Sequence, residues 1–263
     1  SMMEEADEEE EAPPAAGAPD GEPDATEAPA EELAPDPSLG RLEPITVQYT
    51  PEQIAKTGGS TQSLDEEQLE ALEYDDAHSV LLQLPGVYIR QEDGFGLRPN
   101  IGIRGANAER SKKVTLMVDG VLLAPAPYAA PAAYYFPMIS RMVGVDVFKG
   151  PGAIAFGPHT VGGAVNMRTR EIPNGLAAGV DVSGGSFPTG NALGWIGWGN
   201  TRAGVLAEVT HLQSAGFKEI DGGGPTGFRR TEAMLKAHVN SDPTQLVFHK
   251  LELRATYSNE LSN

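Results

Sequence analysis

The sequence predicts an α+β domain followed by a run of antiparallel β-strands, with a disordered acidic tail in front of both. Three observations predict it. Charge is concentrated at one end, where residues 1–43 hold 15 acids against a single base, Arg41. Residues 44–173 alternate between helical and strand patterns joined by glycine-rich turns. Residues 174–263 keep to a period of two.

The tail comes first. It carries −14 of the formal net charge of −18, and the remaining 220 residues, with 22 acids and 18 bases, are nearly balanced. A nucleic-acid binder needs a basic face, so that class is excluded. The tail is rich in Glu, Ala and Pro and has almost nothing apolar to bury, so it is expected to be disordered. It reads as a solubilising spacer or as an acidic tether for a basic partner. The chain has no cysteine, which removes disulfides and thiolate metal sites. No apolar run reaches the roughly 18 residues of a membrane helix. The start, Ser1-Met-Met-Glu-Glu5, lacks a signal peptide's basic and apolar regions, so in an exported protein that signal is expected to have been removed or to lie outside this sequence.

In the second segment, Ser63 and Glu66 have the spacing of a capping box and predict a helix through Leu72. Asp76 predicts the cap of a second helix carrying Val80, Leu81, Leu82 and Leu84, ended by Pro85 and Gly86. Val114–Val118 reads as a buried strand closed by the turn Asp119-Gly120. Gly144–Lys149 is another, with Val145 and Val147 on one face, and Ala164–Arg170 is a third.

From Gly175 the pattern is strands alone. Ala233, Leu235, Ala237 and Val239 alternate with Glu232, Met234, Lys236 and His238. Val247, Leu251, Leu253, Ala255 and Tyr257 share one parity, interrupted by His249, and Lys250, Glu252, Arg254, Thr256 and Ser258 share the other. Ala177–Ser183, Ala192–Trp198 and Gly204–Leu212 alternate less cleanly, making five strands in all. One apolar and one polar face describes both a soluble β-sandwich and a transmembrane β-barrel. Trp195 and Trp198 have opposite parity, so only one can face lipid unless a bulge intervenes.

No catalytic constellation is present. The phosphate-loop, Gly-x-Ser-x-Gly and His-Glu-x-x-His patterns are missing, and His78, His159, His211, His238 and His249 are scattered without ligand spacing. The sequence therefore predicts no enzyme, no cofactor and no metal site.

Six short pieces do occur in a fixed order. They are Pro85-Gly86-Val87, Gly102-Ile-Arg-Gly105, Val118-Asp-Gly120, Lys149-Gly-Pro151, Gly157-Pro158 and Val161-Gly-Gly-Ala-Val-Asn166. This order resembles the plug domain of TonB-dependent receptors, the gated transporters of the Gram-negative outer membrane. Ala124-Pro-Ala-Pro-Tyr128 with Tyr134-Tyr-Phe-Pro-Met138 is most similar to the ferric-citrate type. The resemblance implies an α+β plug over residues 44–173 and, over 174–263, the first strands of an incomplete outer-membrane barrel of about 22 strands.

It also implies partners and sites. The partners are TonB with its inner-membrane energising complex, a ferric chelate ligand and outer-membrane lipid, with the tail in the periplasm. Ile45, Thr46 and Val47 form a candidate TonB box that pairs with TonB as an added strand; they also read as the first strand of the plug. Arg104, between two glycines, matches the arginine that latches the plug to barrel glutamates. Lys149 stands where the family commonly has arginine. Arg98, Tyr128, Tyr134 and Tyr135 lie in the two candidate apical loops and are ligand-binding candidates, whereas Ala129 and Ala130 fall where the ferric-citrate type offers a polar contact. The function so implied is energy-coupled uptake of a ferric siderophore or ferric citrate. The alternatives are an outer-membrane signal-transducing receptor and a non-transport β-sandwich binding protein.

Overall fold

A computed structural model describes residues 60–72, 75–92, 95–217, 226–241 and 249–262. The acidic tail and the candidate box Ile45-Thr46-Val47 lie outside the described residues.

The first sheet is assembled from segments far apart in sequence. β1 (Ser60–Leu64), β4 (Val114–Val118), β5 (Val121–Leu122), β6 (Met142–Lys149) and β7 (Gly163–Thr169) lie in the order β1-β6-β7-β4-β5. β4 and β7 run parallel and the other pairs antiparallel. A separate hairpin joins β2 (Val87–Arg90) to β3 (Asn100–Ile103). Val145, Val147, Leu116, Val165 and Met167 are inaccessible and form the core together with Val80 and Leu81. The last two come from the short helix α2 (Ala77–Leu81), which follows α1 (Glu66–Leu72).

Asp76 caps α2 as expected. Its carboxylate accepts from the His78 amide at 2.8 Å and from Ser79 Oγ at 3.0 Å. The box at α1 differs from the sequence reading. Asp65 and Gln68 exchange the reciprocal bonds, at 2.9 and 3.1 Å. Ser63 lies within β1 and donates instead to Asp146 at 2.6 Å, so it is unavailable to the helix.

Three of the sequence motifs meet at one corner. The Arg104 amide donates to the Gly86 carbonyl at 2.9 Å, and Lys149 Nζ donates to the Pro85 carbonyl at 2.6 Å. A Cβ on Gly150 would stand 3.1 Å from the Arg104 guanidinium. The fixed order in sequence thus encodes a contact in space.

The second sheet is an uninterrupted antiparallel meander of β8 (Gly175–Gly185), β9 (Thr189–Gly199), β10 (Ala203–Ser214), β11 (Phe228–Asn240) and β12 (Lys250–Ser262). Its faces are inverted relative to a soluble protein. Glu208, Thr210, Arg230, Glu232 and Lys236 are buried, facing the first domain. Leu176, Val180, Val182, Ile196, Val205, Val209, Leu235, Val239, Leu251, Leu253 and Tyr257 are exposed. Apolar residues outside and polar ones inside are the pattern of a membrane barrel wall and not of a sandwich. Trp198 faces outward with them, whereas Trp195 turns inward beneath the Arg170 guanidinium, 4.5 Å from the ring centroid.

Candidate functional site

The two sheets meet through charge. Arg141 ends the single turn Ile139–Arg141 that leads into β6 and is 3 % exposed. Its Nε bonds Glu208 at 2.9 Å and its Nη1 bonds Glu232 at 3.2 Å, on adjacent strands of the wall. Arg230 bonds the other oxygen of Glu232 at 2.6 Å and donates to the Phe136 carbonyl. Burying an ion is costly unless it is surrounded by opposite charge and hydrogen bonds, and here each guanidinium has both. Desolvation opposes the charge on Arg141, but Glu232 and Glu208 outweigh it and raise its pKa further. Tyr135 lies against the same cluster. Its phenol is pushed up to about 12 by burial and by the nearby Glu232.

A second contact of this kind lies at the turn between β4 and β5. The Asp119 carboxylate accepts from Lys236 at 3.0 Å and from Arg254 at 2.6 Å, both on the wall. Within its own domain it also accepts from the Thr169 amide and hydroxyl, at 2.8 and 2.6 Å. Burial opposes its charge, yet the two cations and the Thr169 bonds hold the carboxyl below the usual range. Asn191 of β9 donates to Asp75 at 2.6 Å, and Lys236 donates to the Arg170 carbonyl at 3.0 Å.

The sequence-predicted ligand residues separate into different surroundings. Arg98 and Tyr134 line one cavity of about 280 Å³, together with Glu92, Asn100 and Arg110. Its backbone is braced: Ser111, fully buried, accepts from the Ile101 amide and donates to the Pro99 carbonyl, and the Asn100 side chain accepts from the Arg110 amide. Arg110 and Ser111 both hold positive φ, at 51° and 55°, a strained pair that this bracing maintains. Arg98 Nη1 and Nη2 bond the two oxygens of Glu260 on β12, at 3.0 and 2.8 Å. Tyr135 belongs to the buried charge cluster and not to this cavity. Tyr128 packs against His159, ring centroids 5.2 Å apart.

Arg104 is exposed and holds φ 51°. Among the described residues no carboxylate pairs with it, and its neighbours are Gly86, Lys149 and Gly150. Burial and this nearby cation lower the Lys149 pKa. Among the described residues, the ion pairs to the wall strands are made instead by Arg98, Asp119 and Arg141. Sequence reasoning missed Arg141, Asp119 and their wall partners as a unit. The available signal was charge at mid-strand positions, with Glu208, Glu232 and Lys236 flanked by apolar residues of opposite parity.

Residues 53–164 match the model of the TonB-dependent receptor plug domain. Over 178 residues the chain is 26% identical to the vitamin B12 transporter BtuB of Vibrio vulnificus (strain CMCP6), covering 68% of this chain and 28% of that protein. The structure of the ferric citrate transporter FecA without ligand superposes with a TM-score of 0.66 at 24% identity, covering 80% of this chain and 32% of FecA. The siderophore receptor PirA of Acinetobacter baumannii gives 0.62 at 16% identity, covering 80% of this chain and 33% of PirA. At these identities the structural likeness is one of fold. The chain spans about a third or less of the length of these relatives, which are transporters and receptors, not enzymes.

Proposed function

We propose that this chain, whose residues 53–164 match the TonB-dependent receptor plug domain, is the plug and the first barrel strands of an outer-membrane importer of an anionic ferric chelate, such as ferric citrate or a ferric siderophore. The observation that carries the ligand class is the cavity where Arg98, Arg110 and Tyr134 converge. Two guanidinium groups and a phenol suit a chelate rich in carboxylate or phenolate oxygens. Glu92 also lines this cavity, and its partner Arg90 lies 2.8 Å away. No bond of the cargo is made or broken.

The charged interface fits a plug that must leave and return. Ion pairs can be exchanged for water, and the contact is not wholly polar, since Leu97 and Met138 pack against Leu212 and Phe228 of the wall. TonB is proposed to act on Ile45-Thr46-Val47 by strand addition, which needs their backbone donors. Arg104 is proposed to latch onto carboxylates of barrel strands outside this chain.

The test is uptake of radiolabelled ferric citrate, ferric enterobactin and cyanocobalamin by iron-starved cells whose only such receptor is the one carrying this chain. Uptake of an iron chelate is expected, lost without TonB and lost in Ile45→Pro and Val47→Pro, with binding unchanged in both variants. Uptake of cyanocobalamin alone would replace the iron reading with the vitamin one. Normal uptake in both proline variants would move the TonB contact elsewhere.

A further inference from the structure

Arg98 lines the candidate cavity with its fork already filled by a protein carboxylate. Glu260 accepts both of its outer nitrogens, at 2.8 and 3.0 Å, in the bidentate geometry that a ligand carboxylate would use. The pair is only partly covered, the Arg98 and Glu260 side chains being 29% and 17% exposed.

Glu260 has a second cation within reach. Arg230 Nη1 lies 3.5 Å from Glu260 Oε2, and the Arg230 side chain is 2% exposed. Releasing one partner of a covered ion pair is usually costly because the other is left uncompensated. Here Glu260 can leave Arg98 and remain neutralised by Arg230.

We propose that Glu260 is an internal competitor for the ligand. It fills the Arg98 fork in the resting receptor and shifts to Arg230 when a carboxylate-bearing anionic chelate takes its place. The inference rests on reading this cavity as the ligand site. Its consequence reaches the plug interface. Arg230 also holds Glu232, and Glu232 holds Arg141, so drawing Arg230 toward Glu260 loosens the carboxylate that anchors the plug's buried arginine. Ligand arrival and plug attachment are then linked through alternating charges. A neutral ligand has no group to exchange with Glu260 and leaves the chain of pairs untouched.

Equilibrium binding of ferric citrate to the purified receptor carrying this chain tests the proposal, with wild type compared against Glu260→Gln and Glu260→Asp. Gln keeps the shape and removes the competing charge, whereas Asp keeps the charge and falls one methylene short of the fork. Both variants are expected to bind more tightly, Gln by roughly 10-fold, the scale of one hydrogen bond to a charged group. General damage to the fold lowers affinity, so a gain cannot arise from it. Should the Gln variant fail to fold, the Asp variant decides. Unchanged or weaker binding in the folded variants overturns the competitor role and leaves the receptor reading intact. Wild-type binding of ferric enterobactin but not ferric citrate overturns the carboxylate exchange alone. Binding of cyanocobalamin and neither ferric probe overturns both.

Discussion

Asp119 performs two tasks with one carboxylate. It holds the turn between β4 and β5 through Thr169, and it takes Lys236 and Arg254 from the wall. Its place in Val118-Asp-Gly120 made the turn legible, since Asp tolerates the positive φ of 49° that it adopts. The ion pairs were not legible, because their partners lie more than 100 residues away and only folding selects them. Asp119→Asn is expected to leave Lys236, 2% exposed, without its counter-charge. Removing one member of a buried pair costs about 3–5 kcal/mol, so the plug should loosen at neutral pH. The sign of the pH effect follows from the lowered folded pKa. The contribution is complete above the unfolded value of about 3.9 and is lost as pH falls through the depressed folded value. Limited proteolysis of the plug in the receptor between pH 3 and 7 checks this: wild type should stay protected until below about pH 4, and the variant should be cleaved throughout.

Strand positions were legible because a half-buried strand imposes a period of two on its own residues. All five strands of the second sheet fall where the alternation predicted them, each extended by a few residues. The capping box was displaced because Ser63 and Asp65 both offer an oxygen near the start of α1, and the pairing of β1 with β6 commits Ser63 to Asp146. The parallel pairing of β4 with β7 was not legible, since it depends on a crossover and not on any local pattern. Its first pair, Val114 with Gly163, explains part of the Val161-Gly-Gly163 motif. Gly163 has φ 141°, and a Cβ there would sit 2.5 Å from the Phe148 carbonyl. Gly163→Ala is therefore expected to destabilise the plug by about 1–3 kcal/mol from backbone strain alone, with the clash adding to it. A lowered midpoint of thermal unfolding of the receptor would show it. An unchanged midpoint would mean that β7 shifts freely at its first residue.

At the scale of the whole molecule, the inverted faces of the second sheet separate a membrane wall from a soluble sandwich. Leu235 is 50% exposed at the middle of β11, and its neighbour Lys236 is buried against the plug. Leu235→Arg would place a charge toward lipid, at a cost of about 2–4 kcal/mol near the bilayer midplane. Outer-membrane insertion of the receptor is expected to fall sharply, read as loss of the heat-modifiable band on gels. On a soluble sandwich the same change would be harmless, so normal insertion would count against the wall.

The sequence by itself determined the strand parity and the plug motifs, because alternation and glycine turns are written in neighbouring residues. The alternation alone left the sandwich and the barrel equally open, since one apolar and one polar face does not say which is turned inward, and it was the plug resemblance that favoured the barrel. Only the tertiary structure decided that the polar face is covered, by setting Arg141 against Glu208 and Glu232, and Asp119 against Lys236 and Arg254. The physical reason is that a buried charge is tolerated only beside its opposite, and these opposites meet only when two sheets made from distant stretches of chain come together.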